Sequence, residues 1–258
     1  MTKEIRHLSA NRPFSKLPYG GLTSDTLRLV AVLLMLSDHI WATVMSYGNW
    51  MTYIGRMAFP IFAFQISEGF FHTKDLKKYI LRLLGFALAS ELPFNLFYSS
   101  RLFNPFHQNV LFTLLLGLLA IRVIHRWRGE KTLKRTLVSL LWLLLIALGA
   151  VIGFADYGFW GVVTVVLFYL LRDFPLAWLA QLGAMVLIHG VLCEGQVFPV
   201  ELFGMALEIP AQGFAVFALI PIWLYGGRKG RGGKAAQYGF YAFYPAHMLL
   251  LYLIRYFS

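Results

Sequence analysis

Apolar positions in this chain fall in long runs, not in alternation, and polar or basic clusters separate them. Nine runs have the length and character of membrane-spanning helices, at about 26–47, 52–71, 79–98, 109–125, 136–154, 158–171, 175–192, 209–226 and 237–254, the sixth being the shortest. Residues 1–24 precede them as a polar, basic segment with Lys3, Arg6, Arg12, Lys16, Pro13 and Pro18, and without an apolar stretch of signal-peptide length. The pattern predicts an all-α fold: a polytopic integral membrane protein of about nine transmembrane helices, with residues 1–24 as a cytosolic basic tail and 25–258 as a single membrane body. No internal repeat is visible, and the one glycine-rich stretch, Gly226–Gly233, reads as a flexible basic loop.

Composition turns that reading into a statement about solvent. Of the 258 residues 59% are hydrophobic and 14% charged, against about 25% charged in an ordinary soluble domain. Too few polar side chains exist to coat a globule, so lipid must cover most of the surface. A secreted disulfide scaffold, a disordered chain and a nucleic-acid-binding domain are excluded, although a net charge of +11 would first suggest the last. The charge follows topology instead. With the N-terminus inside, Lys and Arg collect in the cytosolic tail and loops, and only Arg56, Arg101 and Arg255 fall elsewhere. The loop from Cys193 to Glu208 carries Glu194, Glu201 and Glu208 and no base, as an outer loop should. Cys193 stands alone, which forbids an intrachain disulfide and leaves no thiolate cluster; no metal is expected.

Ionisable groups inside apolar helices are costly and therefore mark function by default. Asp38 and His39 lie roughly 18 to 20 Å along the first predicted helix, Arg56 about 6 Å into the second, and Glu91 and His247 about 18 and 15 Å above the cytosolic edge. Glu68 sits lower, in Gln65–Thr73, near the cytosolic mouth. Pro60, Pro93 and Pro245 each fall within four residues of Arg56, Glu91 or His247 and are expected to interrupt their helices, freeing carbonyls that a shared cavity would have to satisfy. Each group also has a plain structural reading: Asp38 can neutralise Arg56, His39 can be a packing residue, and Glu91 with Asn95 and His247 can form a hydrogen-bond network. His72, His107, His125 and His189 are expected to be satisfied near helix ends. The basic clusters, Lys77, Lys78 and Arg82 among them, serve either as topology signal and headgroup contact or as a docking rim for an anionic cofactor. Nucleotide-hydrolysis, serine-hydrolase and histidine-based zinc motifs are absent from the sequence.

The segments Leu29–Ile40, Ile54–Leu83, Ala89–Leu96, Asn109–Ile121 and Tyr241–Leu251 resemble, in this order, the TraX family of polytopic membrane proteins. The resemblance implies a bacterial cytoplasmic-membrane acetyltransferase: the family's founding members acetylate the N-terminus of conjugative pilin, and the family is similar to membrane acyltransferases that use cytosolic acetyl-CoA. It implies that His39 is the acyl-transfer histidine and that Asp38, Arg56, Glu91 and His247 complete the catalytic set. Glu68, Lys77, Lys78 and Arg82 would lie on the acetyl-CoA side. The expected partners are acetyl-CoA, membrane lipid and an acceptor amine or hydroxyl, whether a protein N-terminus, an amino sugar or a glycan, and no nucleic acid. Buried Asp, Glu and His beside prolines equally describe a proton-coupled secondary transporter, and a non-catalytic membrane assembly factor is the third reading.

Overall fold

A computed structural model describes residues 21–45, 49–129, 132–193, 195–202 and 205–257. The predicted tail lies almost wholly outside them, as do Lys131 and Glu194. In chain order the elements are β1 (Leu22–Thr23), α1 (Ser24–Thr43), α2 (Trp50–Gly55), α3 (Ala58–His72), α4 (Leu76–Ser99), α5 (Val110–Gly129), α6 (Leu133–Ile152), α7 (Gly158–Leu170) and α8 (Ala177–Leu187). There follow a π-turn (Ile188–Leu192), β2 (Val197–Leu202), β3 (Met205–Pro210), a 3₁₀ segment (Ala211–Ala218), α9 (Leu219–Trp223), β4 (Tyr225–Arg228) and α10 (Gly233–Phe257).

The fold is helical, as the apolar runs predict, and each of the nine runs contains helix. Among the described residues, four helices, α1, α4, α5 and α6, are long and apolar enough to cross a membrane. The second run is not one helix. It divides at Arg56–Met57 into α2 and α3, so Pro60 stands in the first turn of α3, where its missing N–H is not needed. Pro93 and Pro245 do not interrupt their helices as expected: α4 and α10 run through them for 24 and 25 residues, because one lost ladder bond is tolerated when flanking turns and neighbours hold the backbone. The expected outer loop forms an antiparallel hairpin, β2 with β3, in register from Val197 opposite Pro210 to Leu202 opposite Met205.

Local sequence explains where several helices begin. Thr23 caps α1 by accepting the Thr26 N–H at 3.2 Å, Asp75 caps α4 through Lys78 at 3.0 Å, and Thr132 caps α6 through Arg135 at 3.3 Å. Helix α4 stops at Ser100, whose φ of 54° is left-handed.

The chain folds as two compact units. One comprises Met1–Phe62 with Leu170–Phe240. In it α2 packs on α1, and β1 pairs in parallel with β4, Leu22 donating to the Leu224 carbonyl at 2.7 Å. Tyr53 stacks on Phe198 and Phe214 at 4.7 and 4.9 Å, joining α2 to the hairpin and the 3₁₀ segment. The other comprises Ala63–Tyr169 with Tyr241–Ser258. There α5 touches both α4 and α6, and Gly117 admits Val165 so closely that a side chain at 117 would meet it at 2.6 Å. Ala120, Ile146, Ala150 and Val162 form a buried seam between α5, α6 and α7. Helix α6 is apolar on its outward face as well, with Leu137, Leu141, Trp142, Leu144 and Leu148 exposed, which an apolar solvent suits and water does not.

Candidate functional site

In the first unit, α1 and α2 bring Asp38 and Arg56 together. The Arg56 guanidinium donates to Asp38 Oδ1 at 3.3 Å and to Thr52 Oγ1 at 2.8 Å. Thr52, one turn earlier on α2, is fully buried, so the arginine is held from both helices. Gly55 permits the approach: a Cβ there would collide with Asp38. His39 follows Asp38 on α1, half-buried, about 100° further round the helix. Its carbonyl accepts from the Thr43 hydroxyl at 2.7 Å. The unit holds a second polar cluster, around a histidine that the sequence places as a satisfied group near a helix end. His189, fully buried in the π-turn, lies 3.1 Å from Gln212 through Nδ1, with Phe59 edge-on at 6.5 Å.

The second unit places the other predicted groups. Glu91 accepts through Oε1 from the Asn109 backbone N–H at 3.0 Å and from the Asn109 amide. That amide also donates to the Ala87 carbonyl at 2.9 Å, and its oxygen accepts from Leu111 N–H at 3.1 Å. Asn95 lies one turn further along α4 and is buried, while the hydrogen bonds of Glu91 run to Asn109. His247 is buried on α10 and binds the Phe243 carbonyl through Nδ1 at 2.7 Å. A carbonyl can only accept, so Nδ1 carries the proton in this contact. His107 reaches Asp156 at 3.7 Å with its ring against Tyr98 and Phe94.

The expected cofactor-side residues separate into different environments. Glu68 is buried and lies 3.5 Å from His72. Lys78 pairs at 3.5 Å with Asp75, whose carboxyl the Lys78 backbone N–H holds below the usual carboxylate range. Arg82 stands over the rings of Tyr79 and Tyr241 at 5.4 and 5.6 Å. Lys77 faces a cleft of about 380 Å³ at the start of α4, where Arg122, His125 and Arg126 of α5 join it, with Phe70 on the wall. Sequence reading took the α5 basic run mainly as topology signal. The available clue was spacing, since Arg122 and Arg126 are four residues apart and share a helix face.

Helices of membrane-crossing length, apolar outward surfaces and buried carboxylates and histidines held by specific partners define a multi-pass helical membrane protein. The TraX protein family matches residues 23–255, and the chain belongs to that family. It is 33% identical over 241 residues, covering 87% of this chain and 92% of the relative, to a protein named probable fimbrial assembly protein FimC, serogroup H1, from Dichelobacter nodosus. No solved structure matches it.

Proposed function

We propose that the protein is a membrane-embedded acetyltransferase, moving acetyl from cytosolic acetyl-CoA to an amine or hydroxyl near the outer face of a bacterial cytoplasmic membrane. The observation that carries this reading is the Asp38–Arg56 pair, fixed from two helices beside His39. A histidine base and an anchored guanidinium can together carry acyl transfer. His39 takes the proton of the acceptor as its nitrogen or oxygen attacks the thioester carbonyl. Arg56 stabilises the oxyanion, and collapse expels the CoA thiolate, which regains a proton as CoA–SH. Glu91 and His247 are kept as members of the catalytic set, and Glu68 with Lys77, Lys78 and Arg82 as the cofactor-binding residues. Nine crossings with the N-terminus inside accord with the charge asymmetry of the loops. Membership of the TraX family supports the same chemistry.

The test is CoA release from acetyl-CoA by purified protein in nanodiscs with an amine acceptor. Release that requires His39 supports the proposal; a folded protein that binds acetyl-CoA and never releases CoA overturns it. The relative's name favours one second reading, a non-catalytic factor in fimbrial assembly. Retention of fimbriae by cells carrying His39→Ala would point there.

A further inference from the structure

The cleft between the start of α4 and the end of α5 holds charge that no acid among the described residues neutralises. Among the described residues, no ion pair is formed by Lys77, Arg122 or Arg126, and Glu68 and Asp75, the acids nearest Lys77 in sequence, are engaged with His72 and Lys78; Glu130, four residues beyond Arg126, lies outside the described residues. Three cations thus line one concavity of about 380 Å³, a volume within the small-ligand range of about 300–1,000 Å³. Mutual repulsion makes that arrangement unfavourable when empty and favourable around an anion. The wall opposite is aromatic. Phe70 meets His125 edge-on at 5.1 Å and Tyr169 at 5.7 Å, and Tyr169 holds His125 Nδ1 at 2.9 Å. His125 is therefore positioned by a partner outside the cleft while its ring lines it.

The geometry points to a docking site for a phosphate-bearing anion, gripped by Arg122, Arg126 and Lys77. Arg122 and Arg126 lie one turn apart on α5, so two guanidiniums can bind one phosphate or two adjacent ones in bidentate fashion, and Lys77 adds a point charge from α4. Phe70 offers an apolar face for the rest of the ligand. Both flanking helices are of membrane-crossing length and the cleft lies at their ends. Two sources can supply such a phosphate there: a soluble nucleotide cofactor or an anionic lipid headgroup. The nucleotide form rests on the acetyl-CoA reading; recognition of phosphate does not.

The experiment uses the full chain in neutral phosphatidylcholine nanodiscs, titrated calorimetrically with adenosine 3′,5′-bisphosphate. A parallel arm measures retention of phosphatidylglycerol by native mass spectrometry. Arg122→Gln and Arg126→Gln are each compared with Arg101→Gln, a charge loss elsewhere on the chain. The expected result is that each cleft variant weakens bisphosphate binding by about 10-fold or more, as loss of a charge-assisted contact implies, with Arg101→Gln unchanged. If the bisphosphate does not bind but lipid retention falls selectively in the cleft variants, the headgroup is the ligand. Wild-type affinity and lipid retention in both cleft variants overturn the proposal. Should either arginine variant fold poorly, Lys77→Gln at the exposed helix start carries the same test. Turnover of acetyl-CoA with KM unchanged in the cleft variants would overturn the nucleotide form of the site and leave the transfer reading standing. Bisphosphate binding through the cleft without any CoA release would do the reverse.

Discussion

Gly55→Ala adds one methyl group at the tightest point between α1 and α2. The new carbon would stand 3.1 Å from Asp38 Cα and Cγ and nearer still to Cβ, whereas non-bonded carbons settle at about 3.5–4.0 Å. Asp38 Cα and Cβ belong to the helix and cannot rotate away, so the two helices must part by about 1 Å. The Arg56–Asp38 contact is already 3.3 Å, and that displacement takes it beyond hydrogen-bond reach. Overpacking costs about 1–3 kcal/mol, loss of a bond between charged groups about 1.5–3 kcal/mol, and the better helix propensity of alanine returns at most about 1 kcal/mol. The net expectation is a loss of about 2–5 kcal/mol. Denaturant unfolding in mixed micelles, followed by tryptophan fluorescence, measures it. Gly85→Ala on α4 is the matched control, because a Cβ there meets nothing within 4 Å, and it should be neutral or slightly stabilising. Equal behaviour of the two variants would refute the close-approach argument.

Three further outcomes follow from the same geometry. A double-mutant cycle on Arg56→Met and Asp38→Leu should give a coupling of about 1.5–3 kcal/mol in unfolding free energy, with Arg56→Met alone worse than the double variant; additive losses would remove the pair. Asn109→Ala deletes donors to Glu91 and to the Ala87 carbonyl and should cost about 2–4 kcal/mol in the same assay, while Asn109→Asp, which sets a second carboxylate against Glu91, should be no better. Asp75→Ala should speed amide exchange over Leu76–Ile80 at neutral pH. Because the fold lowers the Asp75 pKa, the capping advantage is present above the unfolded value and vanishes as pH falls through the folded one. Wild type and variant should therefore converge in strong acid, and a difference that persists there would assign the effect to something other than the carboxylate.

Helix placement was legible because long apolar runs leave a membrane chain few alternatives. The cap residues Thr23, Asp75 and Thr132 are signals a sequence carries openly. The Asp38–Arg56 pair was legible too, since buried opposite charges on consecutive helices must be compensated. Where reading failed, the cause was tertiary. Pro93 and Pro245 look like breaks in one dimension, yet α4 and α10 continue through them. The division of the second run at Arg56–Met57 has no local marker that separates it from a proline kink at Pro60. Asn109 as the partner of Glu91 required knowing that the start of α5 meets α4, eighteen residues away in sequence, and no periodicity encodes that. The cleft was half visible: its arginines could be counted, but their convergence on Lys77 depends on how α4 and α5 pack.

His39→Ala tests the proposed reacting group while leaving the Asp38 and Thr52 partners of Arg56 in place. Asp38, Arg56 and Glu91 each sit in bonds whose loss leaves a buried or half-buried partner unsatisfied. Activity lost on their removal would be ambiguous between chemistry and collapse. Truncating His39 takes away an imidazole but leaves Arg56 with both Asp38 and Thr52, and its backbone carbonyl still accepts from Thr43. CoA release should fall by about 10²–10⁴-fold, the usual worth of a positioned general base, and denaturant unfolding of the same variant reports whether the fold is kept. Glutamine at this position restores polarity and approximate size without a titratable nitrogen, so His39→Gln should recover none of the rate. Release near the wild-type level in a folded His39→Gln protein would remove proton transfer at His39 from the mechanism, and a loss of stability comparable to that of Arg56→Met would make His39 a member of the structural pair.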